Sequence, residues 1–273
     1  MENCIEIIIE TPDEETKEMI MALLAAADFD GFEETENFLK AYCAQQKFDE
    51  VLLNEILQPF DVKFKTTIIA AQNWNAVWES NFEPVVIEDF VAVRASFHKK
   101  ITGVLHEIVI TPKMSFGTGH HATTFMMMQQ MHALDFENKT VFDFGTGTGI
   151  LAILAEKLGA KKVFAIDNDE WSFENASENI VQNNCSKINL QLLDTPQTDE
   201  TFDIILANIN KNIILEYLRA LVKIVKQKGI ILLSGLLAED EADIAFAGAS
   251  LSLSLQKKLV KDKWICLCYR LEL

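Results

Sequence analysis

Cysteine is scarce in this sequence and is not arranged as a disulfide framework or a metal site. The five cysteines are an odd number, they are scattered, and none forms a C-x-x-C pair. Cys266 and Cys268 would share one face of a strand, where we expect them to be core thiols rather than zinc ligands. The sequence therefore predicts no metal centre built on cysteine.

Long apolar runs are also absent. No run approaches the roughly 20 residues that a membrane-spanning helix needs. The first residues, Met1 to Glu6, carry no basic stretch before an apolar one, as a signal peptide would. We therefore expect no membrane attachment and a cytoplasmic location. Internal repeats are missing as well, and the 273 residues suffice for one large or two smaller domains.

Basic residues are also few relative to acidic ones. The chain has 41 acidic and 24 basic residues, which gives a net charge of −17. Residues 1–65 alone hold sixteen acids and five lysines, a balance of −11. Such a segment repels nucleic acid and favours a basic partner, although the same charge would also serve solubility alone. We expect a basic protein partner and no direct binding of nucleic acid.

The first 70 residues alternate between strand and helix patterns. They indicate a strand at 3–10, a helix at 12–27, two short strands between Gly31 and Tyr42, a helix at 48–57 and a strand at 62–70. This β-α-β-β-α-β order is that of a ferredoxin-like α+β domain. We predict that residues 1–70 form a small, acidic substrate-recognition domain.

Residues 71–100 are predicted to connect this domain to the remainder through a helix and strands. Trp74, Trp78 and Phe82 recur every fourth residue, which indicates a helix whose apolar stripe packs on a neighbouring domain. Strand patterns follow at 85–96 and 104–110.

From residue 101 to residue 273 we predict an α/β catalytic domain with a doubly wound sheet. Strand patterns at 140–144, 162–167, 189–193, 203–207 and 229–234 alternate with helix patterns, the last of which covers 238–248. The last two strands, near 251–260 and 264–272, are separated only by residues 261–263, so they must be antiparallel. A sheet of seven strands closed by such a hairpin is the methyltransferase form of the Rossmann-like fold.

The most specific motif is the segment 141–150, VFDFGTGTGI. A short apolar run is followed by Asp143, by the glycines Gly145, Gly147 and Gly149, and then by a helical pattern. This order predicts a strand, a tight turn and a helix start, where backbone N–H groups face a ligand. We infer a nucleotide-type cofactor site.

The glycine spacing separates two cofactor classes. The dinucleotide fingerprint is G-x-G-x-x-G, whereas this chain has D-x-G-x-G-x-G. Asp143 is a poor neighbour for a phosphate and a good one for a cation. The segment resembles motif I of the class I S-adenosylmethionine methyltransferases, whose ligand carries a sulfonium and an ammonium. The next strand ends in Asp167, which would bind ribose hydroxyls or, alternatively, cap a helix.

Two further loops carry polar residues. The loop 111–124 contains His120, His121, Thr123 and Thr124 before an apolar helix, which indicates a loop folded over a ligand. The adjacent histidines point apart, so we do not expect a metal pair. The strand 203–207 ends at Asn208, at the same edge of the sheet as the glycine turn, where it would contact a ligand or cap the following helix.

Four segments fall in the order and spacing of the PrmA family, the methyltransferases of large-subunit ribosomal protein L11. They are FGTGHHATT at 116–124, DFGTGTGILAI at 143–153, ANI at 207–209 and SGLL at 234–237. The tract NWNAVW at 73–78 also resembles that family, and the resemblance covers nearly the whole chain. The chain departs from the family at Ala122 (usually proline), Thr146 (commonly cysteine) and Asn210 (usually leucine). Of these, Asn210 would alter the target pocket.

The resemblance implies a set of cofactor contacts. Gly145 would bring bare backbone against the amino-acid part of S-adenosylmethionine, Asp167 would bind its ribose, and Asn208 would lie beside the reacting methyl. The complete predicted set is Thr124, Gly145, Asp167, Asn208, Asp143, Gly147 and Phe116, and Phe116 would form a lid with His120 or His121.

The resemblance further implies methyl transfer to lysine side chains and the N-terminal amine of ribosomal protein L11. We expect a monomer, and no side chain of the sequence demands the role of general base. A class I methyltransferase of a small molecule or nucleic acid is the alternative, although it would not need an acidic recognition domain. An oxidoreductase that binds NAD is disfavoured by the glycine spacing and the terminal hairpin. A non-catalytic binding module is the third option.

Overall fold

The computed structural model describes residues 3–11, 13–35, 37–69, 82–113 and 115–272. The chain divides into two compact units, Met1–Asn81 and Phe82–Leu273. Most of the predicted helix that carries Trp74 and Trp78 lies outside the described residues.

The first unit is an antiparallel sheet with two helices. Its elements are β1 (Cys4–Glu10), α1 (Glu14–Ala26), β2 (Gly31–Glu34), β3 (Phe38–Ala44), α2 (Glu50–Leu57), a 3₁₀ turn (Gln58–Phe60) and β4 (Phe64–Ile69). The strand order β2-β3-β1-β4, with every neighbouring pair antiparallel, is the predicted ferredoxin-like arrangement. Alternate residues of β1 (Ile5, Ile7 and Ile9) are buried in one core with Ile20 and Leu24 of α1.

The second unit contains the remaining elements. They are β5 (Val85–Ile87), β6 (Val91–Ala95), β7 (His106–Ile110), α3 (Ala122–His132), β8 (Thr140–Phe144), α4 (Ile150–Lys157), β9 (Lys162–Asp167), α5 (Glu170–Gln182), β10 (Ile188–Leu192), β11 (Phe202–Asn208), α6 (Lys211–Ile224), β12 (Val225–Leu237), α7 (Glu241–Ala249), β13 (Leu253–Lys261) and β14 (Trp264–Leu271).

Seven of these strands form one sheet in the order β10-β9-β8-β11-β12-β14-β13. The first five are parallel, whereas β14 is antiparallel to both of its neighbours. The predicted α/β fold class, with its terminal antiparallel hairpin, is confirmed. The strand order reverses beside β8, and this reversal places the carboxyl ends of β8, β9 and β11 together at one edge.

Both faces of the central strands β8, β9, β11 and β12 are buried, which explains the nearly continuous apolar runs of these strands. Val141 of β8 packs into the core on one face and Phe142 into the core on the other. The ring of Phe142 packs against those of Phe164 of β9 and Phe202 of β11, with centroids 5.5 and 5.2 Å away, and these two rings also contact each other at 6.2 Å. This packing holds the three strands whose ends form the candidate site.

Three predicted elements are divided in the structure or depart from it by more than two residues. The single strand predicted at 85–96 is two strands, β5 and β6, because the chain turns at Glu88, whose φ is +50°. Both strands belong to the second unit, where β6 pairs with β7. Strand β12 begins at Val225, directly after α6, rather than at residue 229. The helix predicted at 238–248 opens with a 3₁₀ turn, and its α-helical part starts at Glu241.

Candidate cofactor site

A cleft of about 670 Å³ opens at the edge where β8, β9 and β11 end. Its volume lies within the range of small-molecule sites. It is lined by Phe116, His121, Thr123, Phe144, Gly145, Gly147, Asp167, Asn168, Ser172, Leu193, Asp194, Asn208, Ile209, Asn210, Ile213, Tyr217, Gly235 and Trp264. Five of the seven predicted cofactor contacts are in this set: Phe116, Gly145, Gly147, Asp167 and Asn208.

The glycine turn between β8 and α4 needs glycine for both conformation and space. Gly145 and Gly147 have φ values of +74° and +55°, in the left-handed region. A Cβ at Gly145 would clash with the side chain of Ile209, and one at Gly147 with the carbonyl oxygen of Phe116. Helix α4 begins directly after Gly149, with no side-chain cap. The turn therefore presents bare backbone to the cleft.

Asp167 lies half-buried at the end of β9 and faces the cleft. Its Oδ2 accepts the N–H of Gly147 at 2.8 Å, and its Oδ1 accepts the N–H of Asp169 at 3.1 Å. The cap of α5 is Asp169 instead, which accepts the N–H of Ser172 at 2.8 Å. Of the two roles considered for Asp167, helix capping is therefore wrong, and its carboxylate is available to a ligand.

Asp143 lies behind the glycine turn and does not line the cleft. Its side chain is buried, and its Oδ2 accepts the hydroxyl of Thr146 at 2.6 Å. Its Oδ1 has no hydrogen-bond partner in the part of the chain that the structure describes. Burial raises the pKa of this carboxyl to about 7, the Thr146 hydroxyl opposes that shift, and the charge of Asp167 adds to it. A cation nearby would stabilise the ionised form.

Asn208 ends β11 and contributes a buried amide to the cleft. Its Nδ2 donates to the hydroxyl of Thr124 at 3.2 Å, while its Oδ1 has no hydrogen-bond partner among the described residues. Thr124 is fully buried in the first turn of α3 and does not line the cleft, whereas Thr123 does. Thr124 therefore touches the site only through Asn208.

The loop before α3 contributes an aromatic wall. Phe116 is 52 % exposed and lines the cleft. His121 caps α3, and its ring lies 5.2 Å from that of Phe116 and 4.7 Å from that of Trp264. His120 does not line the cleft, because its ring packs against Phe82 at 4.7 Å. Of the two candidate lid histidines, the structure brings only His121 to the cleft.

Several cleft residues were not found by sequence reasoning. Leu193 and Asp194 follow the end of β10, so the rule that located Asp167 and Asn208 would have found them. Gly235 lies in the SGLL segment at 234–237, and the resemblance of that segment to the PrmA family was its signal in the sequence. In the structure its φ is +82°, and the backbone of Ile209 lies where a Cβ would be. Trp264 has no local signal. The remainder of this group is Phe144, Asn168, Ser172, Ile209, Ile213 and Tyr217.

Asn210, where the PrmA family usually has leucine, has two roles in the structure. It lines the cleft, and its side chain caps α6 by accepting the N–H of Ile213 at 3.1 Å.

Among the described residues, no group of three His, Cys, Asp or Glu side chains is arranged to hold a metal ion. No described helix is long and apolar enough to cross a membrane.

Comparison with known proteins places the chain in a family. The family model for ribosomal protein L11 methyltransferase (PrmA) matches residues 3–272. The chain belongs to this family. The ribosomal protein L11 methyltransferase of Porphyromonas gingivalis is 37 % identical over 268 residues, which cover 94 % of this chain and 92 % of that protein. The corresponding protein of Chlorobaculum tepidum is 36 % identical over 276 residues, 96 % and 95 % of the two chains.

The family assignment extends to a solved structure. The crystal structure of ribosomal protein L11 methylase from Lactobacillus delbrueckii subsp. bulgaricus is similar with a TM-score of 0.66 and 30 % identity. The similarity covers 70 % of this chain and all of that one. The methyltransferase fold and the family membership therefore rest on sequence and structure together.

Proposed function

We propose that this protein transfers methyl groups from S-adenosylmethionine to amino groups of ribosomal protein L11, on lysine side chains and on the N-terminal amine. Family membership supports the reaction class and the substrate, because the relatives are named for that activity. The observation that carries the cofactor assignment is the glycine turn at the end of β8, which lines the cleft with backbone at Gly145 and Gly147 beside the Asp167 carboxylate.

The residues of the cleft fit this cofactor. Gly145 and Gly147 line the cleft with backbone, and the Asp167 carboxylate is a good acceptor for ribose hydroxyls. Asn208 holds a buried oxygen at the cleft with no hydrogen-bond partner among the described residues, which suits a ligand that donates a hydrogen bond, such as one with an ammonium. Asp143 does not line the cleft, and its carboxylate would favour a cationic ligand there only through its charge. When bound, S-adenosylmethionine supplies a methyl group already activated on sulfur.

The protein then has to orient an unprotonated amine. A lysine has an ordinary pKa of about 10.4 and an α-amine one near 8, so the lysine in particular must lose a proton before it can attack. Phe116, Ile213 and Trp264 give the cleft apolar walls, which disfavour an ammonium and lower the pKa of an entering lysine. The released proton passes to water, and Asn208 orients the amine beside the methyl. Rate enhancement would come mainly from this positioning.

Substrate recognition is assigned, within the same proposal, to the acidic first unit. Its excess of negative charge complements a basic ribosomal protein and gives no attraction for RNA. One cleft would have to receive several amines of the substrate in turn, and most of the segment that connects the two units lies outside the described residues.

The test is the intact mass of purified ribosomal protein L11 after incubation with this protein and S-adenosylmethionine. The expected result is a series of additions, each of one CH₂, which fragmentation assigns to individual amines. An Asn208→Ala variant is the matched control and should slow the series. An unchanged mass, with cofactor binding shown separately by calorimetry, would contradict the proposed substrate; RNA and small-molecule fractions would then be assayed.

A further inference from the structure

The loop of residues 115–121 is attached at one side to the glycine turn. The carbonyl of Phe116 accepts the N–H of Thr148 at 3.0 Å, and the carbonyl of Gly117 accepts the Thr148 hydroxyl at 2.6 Å. A Cβ at Gly147 would occupy the position of the Phe116 carbonyl oxygen. A shift of this loop therefore shifts both Phe116 and the turn that lines the cleft.

The other side of the loop is attached through His120. Its Nε2 lies 2.8 Å from the carbonyl oxygen of Glu83, and because a carbonyl only accepts, Nε2 carries the hydrogen. Its Nδ1 lies 3.1 Å from the hydroxyl of Thr118 in the same loop. Its ring also meets the ring of Phe82 edge-on, at 4.7 Å. Next to it, a Cβ on Gly119 would touch the side chain of Val85.

The segment 82–85 is itself held in the second unit. The ring of Phe82 stacks on that of His98 at 6.1 Å and packs partly against the core between the sheet and its helices. This segment directly follows residue 81, where the first unit ends. It is therefore the first part of the second unit to experience a force on the connecting chain.

We propose that His120 is a positioning residue that transmits the position of segment 82–85 to the cofactor cleft. The inference rests on the proposed function, because the cleft is taken to bind S-adenosylmethionine. The chain of contacts runs from Phe82 and Glu83 to His120, along the 115–121 loop, and to Phe116 and Thr148 at the cleft. A displacement of segment 82–85 would then change cofactor affinity, and bound cofactor would resist that displacement by the same free energy.

The direct test is hydrogen exchange of the ligand-free protein. In His120→Ala the amide of Thr148, which donates to the Phe116 carbonyl at 3.0 Å, should exchange about tenfold faster, because the loop that carries this carbonyl loses its bonds to segment 82–85. His120→Gln, which can again donate to the Glu83 carbonyl, should restore most of the protection. The matched control is His132→Ala, which removes a ring stacked on Phe90 at 4.1 Å in the same unit but makes no bond to the loop.

The second readout separates positioning from simple destabilisation. His120→Ala should raise the Kd for S-adenosylmethionine about tenfold while kcat at saturating cofactor stays nearly unchanged. Phe82→Leu keeps apolar bulk and removes the ring, so it should weaken binding as well. If both residues act along one path, the double variant should bind little more weakly than the worse single variant.

The results that would overturn the inference are equally specific. Unchanged exchange of the Thr148 amide in His120→Ala, an equal effect from His132→Ala, or strictly additive effects of His120→Ala and Phe82→Leu on cofactor binding would each reject it. Because the exchange measurement needs no ligand, it tests the role of His120 independently of whether the cleft binds S-adenosylmethionine. If the wild-type protein fails to bind S-adenosylmethionine, the proposed function fails, whatever the exchange of the Thr148 amide shows.

Discussion

Asp143 should make the ligand-free protein less stable as the pH rises towards neutral. Its pKa is raised by burial from the ordinary 3.8 to about 7 in the folded protein, so the folded state holds this proton more tightly than the unfolded state. The free energy of unfolding should therefore fall between about pH 4 and pH 7 and level off above pH 7. Asp143→Asn keeps an acceptor for the Thr146 hydroxyl but cannot ionise, so it should lack this dependence.

The size of the effect follows from the shift. About three pKa units correspond to about 4 kcal/mol over the whole titration, at about 1.4 kcal/mol per unit. Between about pH 5.5 and pH 8, about 2 kcal/mol of this should appear as a growing advantage of Asp143→Asn over the wild type. This range stays above the isoelectric point of about 4.7, where the protein would be least soluble.

The assay is urea denaturation of both proteins at several pH values within that range. Asp203→Asn is the matched control. Burial opposes the ionisation of Asp203, but Lys226 and Thr140 bind its carboxylate and hold its pKa at about 2. Its folded and unfolded values both lie below the range, so its variant should differ from the wild type by a constant amount. If Asp143→Asn also differed by a constant amount, the carboxyl would be ionised throughout and the reasoning would be refuted.

Three further predictions concern the proposed activity. Gly147→Ala should weaken binding of S-adenosylmethionine, measured by calorimetry, at least about tenfold, because its Cβ would displace the Phe116 carbonyl. Gly103→Ala is the control, since Gly103 shares the positive φ but a Cβ there would have nothing within 4 Å. Equal losses of affinity in the two variants would reject the steric cause. Thr124→Val should lower kcat about tenfold, and Asn208→Ala should lower it more, because Thr124 acts only through its hydrogen bond with the Asn208 amide. An unchanged kcat in Thr124→Val would show that this hydrogen bond is dispensable. Raising ionic strength from about 0.05 to 0.5 M should raise KM for ribosomal protein L11 several-fold and leave KM for the cofactor nearly constant, and equal responses would argue against charge-based recognition.

The sequence predicted the fold well because its patterns are local. The glycine turn after β8 and the acid that ends β9 were both predicted, because a strand, a turn and a helix start each have a residue pattern that fits within ten residues. The terminal hairpin was readable from its short connection. The break between β5 and β6 was not, because Glu88 adopts a positive φ that no glycine or asparagine announces.

The site was predicted less completely, because the position of a residue along a strand or helix does not show whether its side chain reaches the cleft or lies buried behind it. Asp143 and Thr124 were expected to contact the cofactor, yet both lie behind residues that line the cleft, Thr124 behind Asn208. Trp264 was missed altogether, since its place beside His121 depends on how β14 packs and not on its neighbours in sequence. Asn210 was singled out by its departure from the family, and the structure shows that it also caps α6.

Strand β14 comes after every other strand of the large sheet in the chain, yet it lies in the interior of that sheet, between β12 and β13. It also brings Trp264 to the cleft. During synthesis, one edge of β12 therefore stays without its partner strand until residues 264–271 have left the ribosome. The cleft cannot be complete before that moment, so a nascent chain released from the ribosome before residue 264 would be both inactive and prone to aggregate.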